Sequence, residues 1–209
     1  MKTRRRRAFL RFHALGAKML FAAATVALFA ARCARAQDSV FTLDPAQTRI
    51  EFTLPAELHT VHGNFKLKSG AIRFDTASGA ASGAIIVNAA SGDSGNHGRD
   101  AKMHREILES AKFAEIVFTP RKISGPLGRQ GPSQIEVAGV LTLHGEDHDV
   151  TLTMDIEKNG ETCKASTRFA IPYVKWGLKN PSTFFLRVSK EVQIEIHASG
   201  TLSAPRAEP

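Results

Sequence analysis

The sequence predicts an all-β protein, a single antiparallel extended barrel of about eight strands with one short helix near residues 99–110. Three observations carry this. Most segments after residue 37 alternate apolar and polar residues with a period of two. Turn-forming Gly, Asn and Pro recur between them at strand-length intervals. Only one stretch repeats its apolar residues at helical spacing, and one helix cannot cover so many strands. Closure of the sheet on itself is the economical way to bury its apolar face.

Taken in order, 48–54 places Ile50, Phe52 and Leu54 on one face and Arg49, Glu51 and Thr53 on the other. Segment 61–67 repeats the pattern, with Val61, Phe65 and Leu67 against His62, Asn64 and Lys66. Ser69-Gly70 then reads as a two-residue hairpin leading into 71–75. Segment 82–90 is apolar on both faces. The Gly-rich tract 91–98 reads as a loop, as does 124–133. Between them, 99–110 carries Met103, Ile107 and Leu108 at helical spacing. Asp100 near that helix start suits the unpaired N–H groups there. Segment 134–144 turns Ile135, Val137, Gly139, Leu141 and Leu143 to one side, and 149–157 does the same with Val150, Leu152, Met154 and Ile156. Asn159-Gly160 is a strong hairpin signal before 161–171. Segment 191–202 closes the pattern with Val192, Ile194, Ile196 and Leu202 inward.

Residues 1–36 read as a removable export signal. A cluster at Arg4 to Arg7 precedes the apolar run from Met19 to Ala31, and Ala34-Arg35-Ala36 offers small residues for cleavage. The run is too short for a spanning helix, which needs roughly 20 apolar residues. Arg6-Arg7-Ala8-Phe9-Leu10-Arg11 resembles a twin-arginine signal, so the route stays open between that and the general one. Arg32 before Cys33 does not fit a lipoprotein signal. The expected mature chain is therefore one domain, 37–209, periplasmic or secreted.

Removing the leader changes the charge. It holds nine of the 28 Lys and Arg and none of the 20 Asp and Glu, which leaves 19 basic residues against 20 acidic. The chain's basic character belongs to the leader and gives no support for nucleic-acid binding. Cys163 is then alone, so the domain has no disulfide and relies on its core.

Chemistry-bearing motifs are sparse. His59-x-x-His62 and His144-x-x-x-His148 are pairs without the third ligand or helical glutamate that a catalytic metal site needs. Ser91 and Ser94 lie in a Gly-rich tract without a nucleophile elbow. Cys163 shares a face with Phe169 and Ile171 and reads as a small buried hydrophobe. Arg99 either pairs with a carboxylate or sits at a barrel mouth. Phenylalanines from the whole chain, Phe52, Phe65, Phe74, Phe118, Phe169 and Phe184, fall on inward faces. A solid core and an apolar tunnel both need them there.

Five segments together carry a family resemblance. They are Phe41-Thr42-Leu43-Asp44-Pro45-Ala46-Gln47-Thr48; His62-Gly63-Asn64-Phe65 leading to Gly70-Ala71-Ile72-Arg73-Phe74-Asp75; Arg99-Asp100-Ala101-Lys102-Met103-His104; Phe113-Ala114-Glu115-Ile116-Val117-Phe118; and Val137-Ala138-Gly139-Val140-Leu141-Thr142-Leu143-His144-Gly145. In this order the chain resembles the YceI-like family of exported, lipocalin-like barrels that bind polyisoprenoid or similar amphiphilic lipids. The resemblance spans about 40–202.

It implies a non-catalytic carrier with a long apolar interior and no cofactor or metal. The ligand would be an isoprenoid quinone, a polyprenyl phosphate or a fatty acid derivative, with the membrane touched only transiently as lipid source and a homodimer as one expected assembly. On that reading the interior is lined by Phe52, Phe65, Phe74, Phe118, Leu141, Leu152, Met154, Phe169, Trp176, Phe184 and Ile194. The headgroup would meet Arg99, His104, Tyr173 or Lys175. Commoner members carry an Arg where this chain has Tyr173, four residues before Gly177, which puts an anionic headgroup in doubt. The rivals are a barrel that binds a protein partner through a sheet edge and a His-based metal-dependent hydrolase.

Overall fold

A computed structural model describes residues 38–126, 130–183 and 186–203; the expected leader 1–36 and Phe184 lie outside them. The described residues form nine antiparallel strands and one short helix. The strands are β1 (Asp38–Leu43), β2 (Arg49–Leu54), β3 (Val61–Asp75), β4 (Ala81–Asp93), β5 (Glu115–Ser124), β6 (Gly131–Leu143), β7 (Glu146–Asn159), β8 (Thr162–Ile171) and β9 (Val192–Ser203). Helix α1 (His97–Lys102) runs into a π-helical turn (Met103–Ile107), and together they make the 11-residue helix between β4 and β5.

Nine strands make eight staves. Both β1 and β2 lie between β3 and β9: β1 pairs with their far ends through Phe41↔Ile72 and Phe41↔Leu202, and β2 with their near ends through Phe52↔Gly63 and Phe52↔Ile194. The two strands are one stave broken at Asp44–Thr48. There the Asp44 carboxylate accepts from Ala46 N at 2.8 Å and from Gln47 Nε2 at 2.6 Å, holding a turn that no ladder continues. The remaining neighbours pair in chain order, so the sheet closes, although the β7–β8 ladder runs only from Asp155↔Ser166 to Asn159↔Thr162 and leaves Glu146–Met154 of β7 paired with β6 alone.

The alternation read from the sequence sets the register. Ile135, Val137, Leu141 and Leu143 of β6 are buried, as are Leu152 and Ile156 of β7 and Ile194 and Leu202 of β9. Most of their neighbours along each strand are more exposed, because successive side chains leave a sheet on opposite sides; Val140 of β6, which is also buried, is an exception.

Four local expectations are corrected. Ser69-Gly70 is not a hairpin; β3 runs unbroken through it. Leu67 pairs with Val87 and Ser69 with Ile86, so one residue is extra and the inward phase passes from Phe65 and Leu67 to Gly70, Ile72 and Phe74. Gly70 suits this bulge because a Cβ there would come within 3.2 Å of Leu43 Cδ1. The tract 91–98 is only partly loop: β4 extends to Asp93, which pairs with Asn64, and α1 begins at His97. Likewise 124–133 narrows, because Gly131 pairs with Lys158 and lengthens β6. The hairpin at Asn159-Gly160 shifts by one residue, since Asn159 pairs with Thr162 and the turn is Gly160-Glu161.

The helix cap also differs. Asn96, not Asp100, caps α1, its Oδ1 accepting from Arg99 N at 3.0 Å. The helical segment ends at Ile107, short of 110.

Candidate functional site

The inward side chains do not fill the barrel. An inner chamber of about 160 Å³ lies among Phe41, Phe74, Phe118, Phe169 and the Ile, Leu and Val residues of all eight staves. Among the described residues its only hydroxyls are Thr48 and Thr167, and both are taken by backbone: Thr167 Oγ1 donates to Thr153 O at 2.7 Å, and Thr48 Oγ1 accepts from Ser199 N at 3.4 Å. Cys163 lines the chamber, and burial pushes its thiol pKa up, so it stays a neutral apolar group. An apolar cavity of this kind stays dry and accepts apolar guests.

A second, larger chamber of about 480 Å³ sits at the helix end. It shares Phe65, Ile116, Ile171 and Ile194 with the inner chamber, so the two are stacked along the barrel. Three segments form its rim. The first is the β2–β3 connection, which contributes Ala56 and His59. The second is the helix, with Arg99, Lys102, Met103, Ile107 and Leu108. The third is the segment after β8, with Tyr173, Leu178, Leu186 and Val188. Glu57 N donates to Arg187 O at 3.1 Å and Ser189 N to Pro55 O at 2.9 Å, which ties the first segment to the third.

The helix is held by a polar knot. Arg99 Nε donates to Ser94 Oγ at 2.7 Å and Nη2 to Ser94 O at 2.8 Å. Ser94 in turn donates to Asp100 from its amide at 3.0 Å and from its hydroxyl. Burial raises the Asp100 pKa, but the Ser94 bonds and the charges of Arg99 and His104 outweigh it and hold the carboxyl below the usual carboxylate range. His104 Nε2 lies 2.9 Å from Gly92 O and braces the helix on β4. Gly92 allows this close approach: a Cβ there would fall 2.6 Å from the Phe65 ring and 2.7 Å from Met103 Cε.

Most of the expected lining residues belong to one chamber, while Phe65 and Ile194 stand between the two. Phe65, Phe74, Phe118, Leu141, Leu152, Met154, Phe169 and Ile194 line the inner chamber, and Phe52 lines the mouth. Trp176 lines neither; it stacks on His148 with ring centroids 3.9 Å apart and planes 4° apart. Among the headgroup candidates, Arg99 and Tyr173 line the mouth chamber, whereas His104 and Lys175 do not. Tyr173 is buried, donates to Ser189 O at 2.6 Å, and has its pKa raised by that burial. Lys102, His59, Met103, Ile107 and Leu108 also belong to the mouth. The helical spacing signals that Met103, Ile107 and Leu108 share a face but not what the face covers. Nothing local marks His59 or Lys102.

Beyond the rim, His144 and Gly145 form the β6–β7 turn with φ of 55° and 82°. His144 Nε2 stands 3.5 Å from Glu109 Oε2, an ion pair when the ring is protonated. Among the described residues no three metal-ligating side chains converge.

Known proteins share this architecture. The YceI-like domain model matches residues 41–199. A UPF0312 protein of Vibrio cholerae is 25% identical over 171 residues, covering 80% of this chain and 88% of its own. One from Vibrio vulnificus is 26% identical over the same shares. Among solved structures, BcnA of Burkholderia cenocepacia superposes with a TM-score of 0.62 at 21% identity, over 75% of this chain and 98% of its own. A polyisoprenoid binding domain from Saccharophagus degradans, implicated in plant cell wall breakdown, gives 0.59 at 13% identity, over 78% and 98%. A closed eight-stave barrel with its helix at one mouth, matched by the domain model across nearly all of its strands, establishes that the chain belongs to the YceI-like family.

Proposed function

We propose that this barrel is a non-catalytic carrier that holds one amphiphilic isoprenoid or acyl lipid, working outside the cytoplasm after loss of residues 1–36. The observation that carries the reading is the pair of stacked chambers, apolar at depth and polar only at the rim. A lipid has the same polarity gradient. Its chain would lie among Phe74, Phe118, Leu141 and Phe169, and its head would stay at the helix end. Each buried CH₂ contributes about 0.8 kcal/mol, so a long chain binds tightly without a strong polar contact. Polyisoprenoid binding in the Saccharophagus degradans domain supports the same class of ligand. Sheet closure weighs against the protein-partner alternative, because strand addition needs a long free edge and the one break in the ladder is the short stretch between β7 and β8.

Filling the inner chamber tests this. Ala165 and Ala198 are cross-strand partners on β8 and β9 and both line it. Ala165→Phe should place a ring in the cavity, keep the fold, and abolish binding of a polyprenyl or acyl chain measured by displacement of an apolar fluorescent dye. Undiminished binding by a folded Ala165→Phe variant would contradict the tunnel.

A further inference from the structure

We infer that a long apolar chain enters the inner chamber sideways, through a slit between β7 and β8 that the stacked rings of Trp176 and His148 keep shut. The inference rests on the carrier reading above and adds the route of entry. Backbone pairing between the two strands runs only from Asp155↔Ser166 to Asn159↔Thr162. Toward the mouth, Glu146–Met154 of β7 pairs with β6 alone, and Thr167–Ile171 of β8 pairs with β9 alone. One side-chain bond, from Thr167 Oγ1 to Thr153 O, ties the strands just beyond the end of the ladder. The lips of the slit are chamber wall. Val150, Leu152 and Met154 on β7 and Phe169 and Ile171 on β8 line the inner chamber, and Ile171 lines the mouth as well. The slit therefore runs from the mouth down to the level of the inner chamber, and a chain that slips through it is spared threading end-first past the rim.

His148 stands near the mouth end of the β7 lip, two residues before Val150 and on the same side of the strand. Trp176 reaches it from the turn that follows β8, and the two rings lie 3.9 Å apart with their planes 4° apart. Both residues are half-buried, and neither lines a chamber. Little else holds the door. The turn 172–178 bonds to itself, Trp176 N donating to Pro172 O at 3.1 Å and Leu178 N to Tyr173 O at 3.0 Å. It is anchored to the chain beyond it by Tyr173 Oη, which donates to Ser189 O. Among the described residues no backbone hydrogen bond joins this turn to β7. Swinging the indole off His148 therefore forfeits one aromatic pair and no backbone bond. His148 Nε2 is buried without a hydrogen-bond partner, so parting the rings hydrates that nitrogen and offsets part of the lost contact.

Stopped-flow binding of cis-parinaric acid, an acyl chain that fluoresces in apolar surroundings, tests this with Trp176→Ala, His148→Ala, the double variant and Trp176→Phe. Each alanine variant should raise the association and dissociation rates together by about fivefold, the factor one aromatic pair supplies, and leave Kd within about twofold of wild type. The double variant should be no faster than either single one, because both remove the same stack. Trp176→Phe keeps a ring on His148 and should stay near wild type. Either alanine variant alone decides, so misfolding of one leaves the test in place. Unchanged rates overturn the slit and leave the carrier reading standing. A change in Kd carried by dissociation alone makes the rings part of the ligand's wall and overturns their role as a door. Failure of the wild-type protein to bind either cis-parinaric acid or geranylgeraniol removes the carrier reading and this inference together.

Discussion

The two ends of the barrel are built differently. The inner chamber is walled by regular ladder: every stave contributes alternate side chains, and the polar atoms among them are satisfied by backbone. The mouth is walled by a helix and two connections, held by a few isolated backbone bonds and by side-chain bonds such as Arg99 to Ser94 and Tyr173 to Ser189. Ladder walls resist local opening because nearly every strand is held by backbone bonds to its neighbours along most of its length. A wall held by a few isolated bonds opens at lower cost, as a mouth that must admit a guest requires.

Substitutions should separate the two ends. The largest effect belongs to Phe118→Asp, which puts a carboxylate in the dry chamber and should cost on the order of 4 kcal/mol in chemical denaturation, with loss of lipid uptake. Gly139→Ala should cost about 2 kcal/mol through overpacking, since a Cβ there meets Thr119 O at 2.5 Å and the Phe118 ring at 2.9 Å. Both should lower global stability.

The mouth should respond locally. Asp100→Asn weakens the helix knot and should cost about 1 kcal/mol near neutral pH, seen as faster amide exchange confined to 94–108. The Asp100 carboxyl is depressed in the folded state, so its contribution is present above the unfolded value and is lost as pH falls through the lower folded one. The difference between wild type and Asp100→Asn should therefore shrink below about pH 4. Smallest is Leu58→Ser, which changes a rim residue 76% exposed and should move stability by less than about 0.5 kcal/mol. Global unfolding caused by the Asp100 change would erase the distinction between the two ends.

The same contrast explains what the sequence made legible. Strand identity and inward faces follow from a period of two, a local property, and Ile135, Val137, Leu152 and Ile194 lie where alternation puts them. The phase change in β3 was hidden because a bulge at Lys68-Ser69 and a Ser-Gly turn leave the same local signature. The helix was visible in Met103, Ile107 and Leu108, but its position over the mouth depends on Ser94, Gly92 and β4, which are contacts made only in three dimensions. Trp176 follows the same logic: its size suggests an interior wall, yet His148 offers a stacking face outside the chambers. The wall of the site was legible where it is sheet and obscure where it is loop and helix.

Native mass spectrometry of protein purified gently from bacterial cells, followed by solvent extraction, tests directly whether the barrel carries a lipid. A lipid carrier should show a stoichiometric added mass that extracts as an isoprenoid or acyl lipid and is absent from Ala165→Phe. A bare polypeptide mass, unchanged after incubation with quinones, polyprenyl phosphates and fatty acids, would contradict it.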